Sequence, residues 1–463
     1  MAELHDLTAL EQGAAIKAGQ VSSAELVQYY GERAERLNPA LGAFVTFTID
    51  RALAADTSGD GPLAGVPTAI KDLNNTAGVR TSYGSALLAN HVPDFSDDVV
   101  LRIEAAGMPW IGKTSTPEFG SPCYTEPEGQ PPAVTPWDLT RMAGGSSGGA
   151  GAAVSAGLVP VAQGSDGGGS IRIPASCCGI VGFKPTRGRI SGSPMYGDVT
   201  GLACIGPLAR TVADAAAFLD VMAGRSVGDP SWAPEPSTSF LETTRIAPKR
   251  LTIARFAKPV IADSAIHPEP IAAWEGASRL LESLGHEIVD IEPPMSIEAV
   301  TVFEACWAVL TGLSTVNLNA EQRAQLRPLT RWLGERGEAI GGPTFGLALG
   351  ELRRIAARTL RALAPYDVIL TPTIAQPPLP IGALRNDDDP LADFEAQKRF
   401  TPWTSMWNVT GSPAISLPLH WTPDGLPVGV MLAAAPGEDA LVLSLAAQIE
   451  EAVPWRHKTP PVW

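Results

Sequence analysis

Two serines and a lysine sit in stretches whose composition a folding chain does not keep without a reason. Ser170 closes the run Gly164-Ser165-Asp166-Gly167-Gly168-Gly169-Ser170, and Ser146 lies within Gly144-Gly145-Ser146-Ser147-Gly148-Gly149. Lys71 ends the apolar run that begins at Leu63. Glycine at this density costs conformational entropy on folding, so it marks tight turns or close backbone approach. Three glycines before a serine leave successive N–H groups uncovered by side chains, which is how a nest for a developing oxyanion is built. The competing reading of each Gly-Gly-Ser is a turn between packed elements. A serine hydroxyl is a poor nucleophile until a base takes its proton. A lysine is such a base only when neutral, a state that burial in apolar surroundings favours.

Several spaced motifs carry a resemblance. Gly65-Val66-Pro67-Thr68-Ala69-Ile70-Lys71-Asp72, Gly144 to Gly149, Gly164 to Pro174, Cys178 to Thr186 and Gly411-Ser412-Pro413-Ala414-Ile415-Ser416 together resemble the amidase signature family of serine hydrolases. Thr125-Glu126-Pro127-Glu128 and Arg187-Gly188-Arg189-Ile190-Ser191 are similar in texture to its bacterial branch with nylon-oligomer cyclic-dimer hydrolases. The resemblance implies an α/β fold, one large domain over residues 1–463 with a mixed central sheet flanked by helices. The signature core would span about 60–215, and a more variable region at about 226–400 would shape the substrate pocket.

The same resemblance assigns roles by position. Ser170 would be the nucleophile, Ser146 the bridging serine behind a cis Gly145–Ser146 peptide, and Lys71 the neutral base. The N–H groups of Gly167, Gly168, Gly169 and Ser170 would form the oxyanion hole. Asp166 and Arg172 would pin that loop, and Ser147 would assist the hydroxyl network. Tyr124, Trp403 and Trp407 are expected to line the substrate. Trp403, Met406 and Trp407 stand at i, i+3 and i+4, a spacing that serves a pocket wall or ordinary core equally. Gly167 departs from the family, which usually carries Thr, Val, Ile or Ala there, and its missing side chain is expected to leave space beside the reacting carbonyl.

The implied activity is hydrolysis of a carboxamide, or of a carbamate or ester, through an acyl-enzyme. The substrate is expected to be a small neutral amide with an apolar or aryl part, with no metal and no organic cofactor. Three alternatives stay open: an amidotransferase subunit working in a complex, a non-catalytic binding protein, and a serine esterase built on Ser146. The last follows from Gly144-Gly145-Ser146-Ser147-Gly148, which fits the GxSxG elbow, with His267, His286, His420 and His457 downstream. Gly107 to Thr114 fits the phosphate-loop pattern letter for letter. It is set aside because a helix precedes it and bulky apolar residues fill its middle, leaving no amide cradle.

Composition narrows the class. A net charge of −15 argues against nucleic-acid or anionic-membrane binding. The cysteines, an odd count of 5 without metal-ligand spacing, indicate no disulfide framework. With no signal-like amino terminus and no spanning apolar run, a soluble cytoplasmic protein is expected, with homodimerisation open.

The elements that must position these residues alternate between the two periodicities. Capping boxes at Thr8/Glu11 and Ser22/Glu25 open two helices, with Asn38-Pro39 expected to stop the second. Strands are expected at 43–48, in 63–73 ending at Lys71, and at 159–163, 180–183, 251–255, 287–291, 368–370, 414–417 and 427–432. Helices are expected at 97–106 behind a Ser96 cap, and at 150–158, 211–222, 270–284, 297–318, 345–363 and 438–452. Residues 226–248 read as a surface connection and 385–390 as an acidic loop.

Overall fold

Both amino-terminal capping boxes form: Thr8 and Glu11 open a helix at Ala9–Lys17, and Ser22 and Glu25 open one at Ser23–Leu41. The second helix does not stop at Asn38-Pro39 but runs through Pro39 and ends on Gly42 at φ 57°. Pro39 has no N–H to give the Glu35 carbonyl, yet the helix continues for two more residues before the Asn38 side chain brackets the N–H and C=O of Phe44 and turns the chain into the first strand.

The computed structural model describes residues 3–463. Strands in chain order are β1 (Phe44–Phe47), β2 (Thr68–Lys71), β3 (Trp110–Thr114), β4 (Val161–Asp166), β5 (Val181–Lys184), β6 (Cys204–Ala209), β7 (Thr252–Arg255), β8 (Glu287–Asp290), β9 (Val368–Pro372), β10 (Ala414–Trp421) and β11 (Pro427–Ala434). A small sheet has the order β1-β3-β2, and the main one is β4-β6-β5-β10-β11-β9-β7-β8. The main sheet is mixed: β7 lies parallel to both β8 and β9, and the other pairs are antiparallel. This is the mixed α/β single domain that the resemblance implied.

Helices cover both faces of the main sheet, so its inner strands are buried on both sides. Along β11, Val428, Val430, Leu432 and Ala434 join one core cluster while Met431 and Ala433 join another. The phosphate-loop match fails as expected, since Trp110–Thr114 is a fully buried strand. Ser96 does not cap its helix: Asp97 holds that position, and the Ser96 hydroxyl accepts from the Ala77 N–H. Trp403 lies in a turn before a short helix at Met406–Thr410, so the three large residues of that stretch do not share one helix. A helix at Pro328–Glu338 escapes the sequence reading because its apolar face is short, Leu329 and Leu333.

The helix Gly148–Ser155 carries the Ser146 loop against the small sheet. A Cβ on Gly149 would lie 2.3 Å from the Ser115 nitrogen and 2.4 Å from the Ala43 oxygen, both backbone. Gly149→Ala is therefore expected to destabilise the fold by about 1–3 kcal/mol in urea denaturation. Gly276→Ala, in an exposed-side helix position with nothing within 4 Å, should stabilise it by about 0.4–1 kcal/mol. Equal effects at the two sites would refute the close-packing account.

Candidate active site

Lys71 is the last residue of β2, wholly buried. Its backbone N–H donates to Oε1 of Gln163 on β4 (2.9 Å), and Thr68 Oγ1 donates to the Val161 carbonyl (3.0 Å). The small sheet is thereby docked on the edge strand of the large one, and the Lys71 side chain enters the seam. Its Nζ meets Ser146 Oγ at 2.8 Å, Ser147 Oγ at 2.9 Å and Ser165 Oγ at 3.0 Å. No carboxylate lies within ion-pair distance of Nζ among the described residues. Burial pushes the Lys71 pKa well below the ordinary lysine value, and the more distant charge of Asp166, which acts the other way, does not offset it.

The neutral form of Lys71 can be satisfied at Nζ. Ser147 Oγ donates its hydrogen to the Ser165 carbonyl (3.1 Å), so it accepts from the amine. A neutral amine has two N–H donors and one lone pair. Giving its hydrogens to Ser147 and Ser165 leaves the lone pair facing the Ser146 hydroxyl. Ser165 was not singled out from sequence. Its one signal is a hydroxyl at the penultimate position of β4, next to Asp166.

The Ser146 loop is shaped by what it cannot hold. The Gly145–Ser146 peptide is cis, as the resemblance implied. A Cβ on Gly145 would lie 2.7 Å from the backbone N and C of Tyr124. Ser147 N–H donates to the Ser170 carbonyl (3.1 Å), tying the two serine loops together.

The Ser170 loop is held by a buried ion pair. Arg172 Nη2 and Nε contact Asp166 at 2.8 and 2.9 Å, with both side chains fully buried. Burial works against the Asp166 charge, but the Arg172 guanidinium and its hydrogen bonds outweigh it and hold the carboxyl far below the usual carboxylate range. Asp166 also accepts from the N–H groups of Gly169 (2.7 Å) and Ile171 (3.1 Å). Asn408 donates to Asp166 and accepts from Arg172, and Thr404 Oγ1 donates to the Gly168 carbonyl at 2.6 Å. Asp166 and Arg172 thus occupy the loop-pinning positions expected of them. Thr404 and Asn408 went unnoticed in the sequence because the neighbouring tryptophans drew the reading.

One expectation about the oxyanion hole is corrected. The Gly169 N–H is committed to Asp166, so it is no free donor, whereas those of Gly167, Gly168 and Ser170 make no hydrogen bond among the described residues. Gly169 instead permits the turn, at φ 135° with Thr404 and Ile173 2.6–2.7 Å from where a Cβ would stand.

Two cavities meet at the serines. One, of about 70 Å³, opens on Ser170 between Gly168, Ile173, Phe303, Trp307 and Phe394. The other, of about 210 Å³, opens on Ser146 between Leu73, Phe119, Gly120, Leu202 and Trp307. Tyr124, Trp403 and Trp407 line neither. Tyr124 is buried with its hydroxyl on Asp393 (2.6 Å), and Trp403 and Trp407 pack in the core behind the loop, Trp403 donating to the Lys258 carbonyl. The pocket's aromatic wall comes instead from the helix Ala299–Thr315. The space expected beside Gly167 is filled, since a Cβ there would lie 3.2 Å from Cζ3 and Cη2 of Trp307.

Of the histidines weighed for a Ser146 elbow, His286 bonds Leu251 and Gln448, His420 bonds Glu269, and His267 caps a helix. No histidine hydrogen-bonds either serine among the described residues. None of the described helices is long and apolar enough to cross a membrane.

Comparison with known proteins agrees with this geometry. The Amidase family model matches residues 25–443. The chain is 36% identical over 481 residues to a 6-aminohexanoate-cyclic-dimer hydrolase of Paenarthrobacter ureafaciens, covering 98% of this chain and 96% of that one. A solved structure of 6-aminohexanoate cyclic dimer hydrolase complexed with substrate superposes with a TM-score of 0.93 at 32% identity, over 99% of this chain and 100% of that one. A bacterial aryl acylamidase of the amidase signature enzymes superposes at 0.87 and 26% identity, over 98% of each chain. Matched by that family model over most of its length and by such relatives along the whole chain, the protein belongs to the amidase family and is an enzyme that hydrolyses an amide C–N bond.

Proposed function

We propose that the protein hydrolyses a small neutral carboxamide with an apolar or aryl part through an acyl-enzyme on Ser170. The observation that carries this reading is the buried Lys71 amine, with no carboxylate in ion-pair range among the described residues, 2.8 Å from Ser146 Oγ. Ser170 Oγ attacks the carbonyl carbon as its proton passes to Ser146 and the Ser146 proton passes to Lys71. The carbonyl π electrons move to oxygen, and the free N–H groups of Gly167, Gly168 and Ser170 face that negative charge. Collapse breaks the C–N bond, and Lys71 returns its proton through Ser146 to the departing amine, which cannot leave as an anion. Water then attacks the ester by the same relay and releases the carboxylic acid.

The apolar walls at Ser170 support a neutral acyl group, since burying an unpaired charge there would be costly. The 226–400 region supplies most of those walls, which supports its assignment as the pocket-shaping part of the domain. The amidotransferase alternative is the less favoured, because the relatives above are a cyclic-dimer hydrolase and an aryl acylamidase by name. Five free, buried cysteines support action in a reducing, cytoplasmic setting.

Ser170→Ala should lower kcat by at least about 10⁴-fold and abolish labelling by a fluorophosphonate, with the circular dichroism spectrum unchanged. Mass spectrometry placing the phosphonate on Ser146 would overturn the assignment and restore the elbow reading.

The protonated amine cannot accept a proton, so kcat/KM should climb with pH as Lys71 deprotonates, with an apparent pKa below the free-lysine value of about 10.4. Lys71→Ala should lose about 10²–10⁴-fold in rate and flatten that limb of the profile. An unchanged profile in the variant would exclude Lys71 as the base.

A further inference from the structure

Two side chains, Ser121 and Trp307, line both cavities at the serines, and Trp307 is the larger. Trp307, half-buried on the helix Ala299–Thr315, lines both the Ser170 cavity and the Ser146 cavity. Three contacts hold its indole there. The ring edge is seated in the notch at Gly167, 3.2 Å from where a Cβ would stand, with no other atom within 4 Å of that position. Its Nε1–H donates to Ser121 Oγ at 3.2 Å. Its other face stacks on Phe303, with centroids 5.5 Å apart and planes 17° from parallel.

We propose that Trp307 is a specificity-determining partition that separates the acyl half of the substrate from the amine half and excludes acyl groups branched at the carbon next to the carbonyl. This rests on the acyl-enzyme reading above and sharpens its substrate class. The reacting carbon becomes bonded to Ser170 Oγ, so its substituent extends into the cavity that Ser170 lines. The departing nitrogen takes its proton from Ser146, so the amine lies in the cavity that Ser146 lines. The acyl side is walled by Ile173, Val300, Phe303 and Phe394. The one cation on its rim, Lys398, is already held by Glu304 at 2.5 Å and Glu395 at 2.6 Å. The amine side shares Ser165, Gly197, Asp198 and Ala203 with a third cavity of about 680 Å³ and so opens further outward. The Trp307 ring is the wall nearest Gly167, while Phe303 and Ser405 stand nearest Gly168. A linear or flat acyl chain passes beside it, whereas a second substituent on the α carbon meets it.

The same geometry makes Gly167 and Trp307 a complementary pair. A methyl group at position 167 must push the indole, and the indole is held on its other side by Phe303 and at its nitrogen by Ser121. A side chain at this position therefore requires the indole to shift by a few tenths of an ångström.

The test compares acetyl and pivaloyl p-nitroanilide as slim and branched substrates, in parallel with labelling of Ser170 by slim and branched fluorophosphonates. Trp307→Ala should raise the branched-to-slim ratio of kcat/KM by about tenfold or more, and the labelling ratio likewise, the range that a reshaped apolar pocket commands. Ser121→Ala, which only unpins the indole, should move both ratios in the same direction by less, and it decides the matter if Trp307→Ala does not fold. Gly167→Ala should cost about tenfold in kcat/KM on the slim substrate in the parent chain and less than about threefold in Trp307→Ala, the non-additivity expected of contacting residues. Ratios unchanged in both Trp307→Ala and Ser121→Ala, with Ser170 still labelled, would overturn the partition alone. Failure of every probe to label Ser170 in the parent chain would overturn the acyl-enzyme reading and the partition with it.

Discussion

An amine buried without a carboxylate partner is driven toward its neutral form by its surroundings, and the rest of this site is organised around that constraint. Ionised, Lys71 would lose its hydration with only serine oxygens in exchange, an exchange too poor to keep the charge. Neutral, it is satisfied: two hydrogens given, one accepted. The seam between the two sheets creates this condition. β2 alone would expose the lysine at a strand end; docking on β4 through Gln163 and Thr68 closes the space around it.

Where Lys71 is kept free of ion pairing, Asp166 is saturated with it. A buried ion pair is weak evidence for stability, because desolvation offsets much of the attraction. Here its use is geometric. Asp166 takes the Gly169 and Ile171 amides and two nitrogens of Arg172, while Asn408 closes the ring. That consumption decides which backbone amides remain to meet an oxyanion. It also separates the two charges by function, since the Asp166 carboxylate is fully occupied and does not compete for the lysine proton.

Chemistry and shape come from different stretches of the chain. The proton relay and its clamp are assembled from residues 71 to 172, with Thr404 and Asn408 reaching back across the sheet. The cavity walls come largely from helices at 299–315 and 390–400. The relay residues sit on strand ends and tight loops fixed by buried hydrogen bonds. The walls sit on helices that touch the core through one face, so their other face is open to serve substrate shape.

The alternation of elements was legible in local periodicity, while the family resemblance implied the fold class and pointed to the lysine and the two serines. Strand and helix periodicity, capping boxes and glycine-dense loops are local signals, and each constrains the backbone within a few residues of itself. Even the clamp was half visible, because Asp166 and Arg172 share one loop. What stayed hidden depends on elements far apart in the chain. Trp403 and Trp407 have the residue types of a pocket wall, yet they pack in the core because that segment passes behind the loop. Trp307, unremarked in its helix, arrives at the notch of Gly167 from 140 residues away. Gly169 has the sequence of an oxyanion donor, and only the folded loop shows its N–H already given to Asp166. Local sequence determines which groups can do chemistry; tertiary packing decides which remain unpaired and exposed, because a hydrogen bond or a filled cavity is a property of both partners.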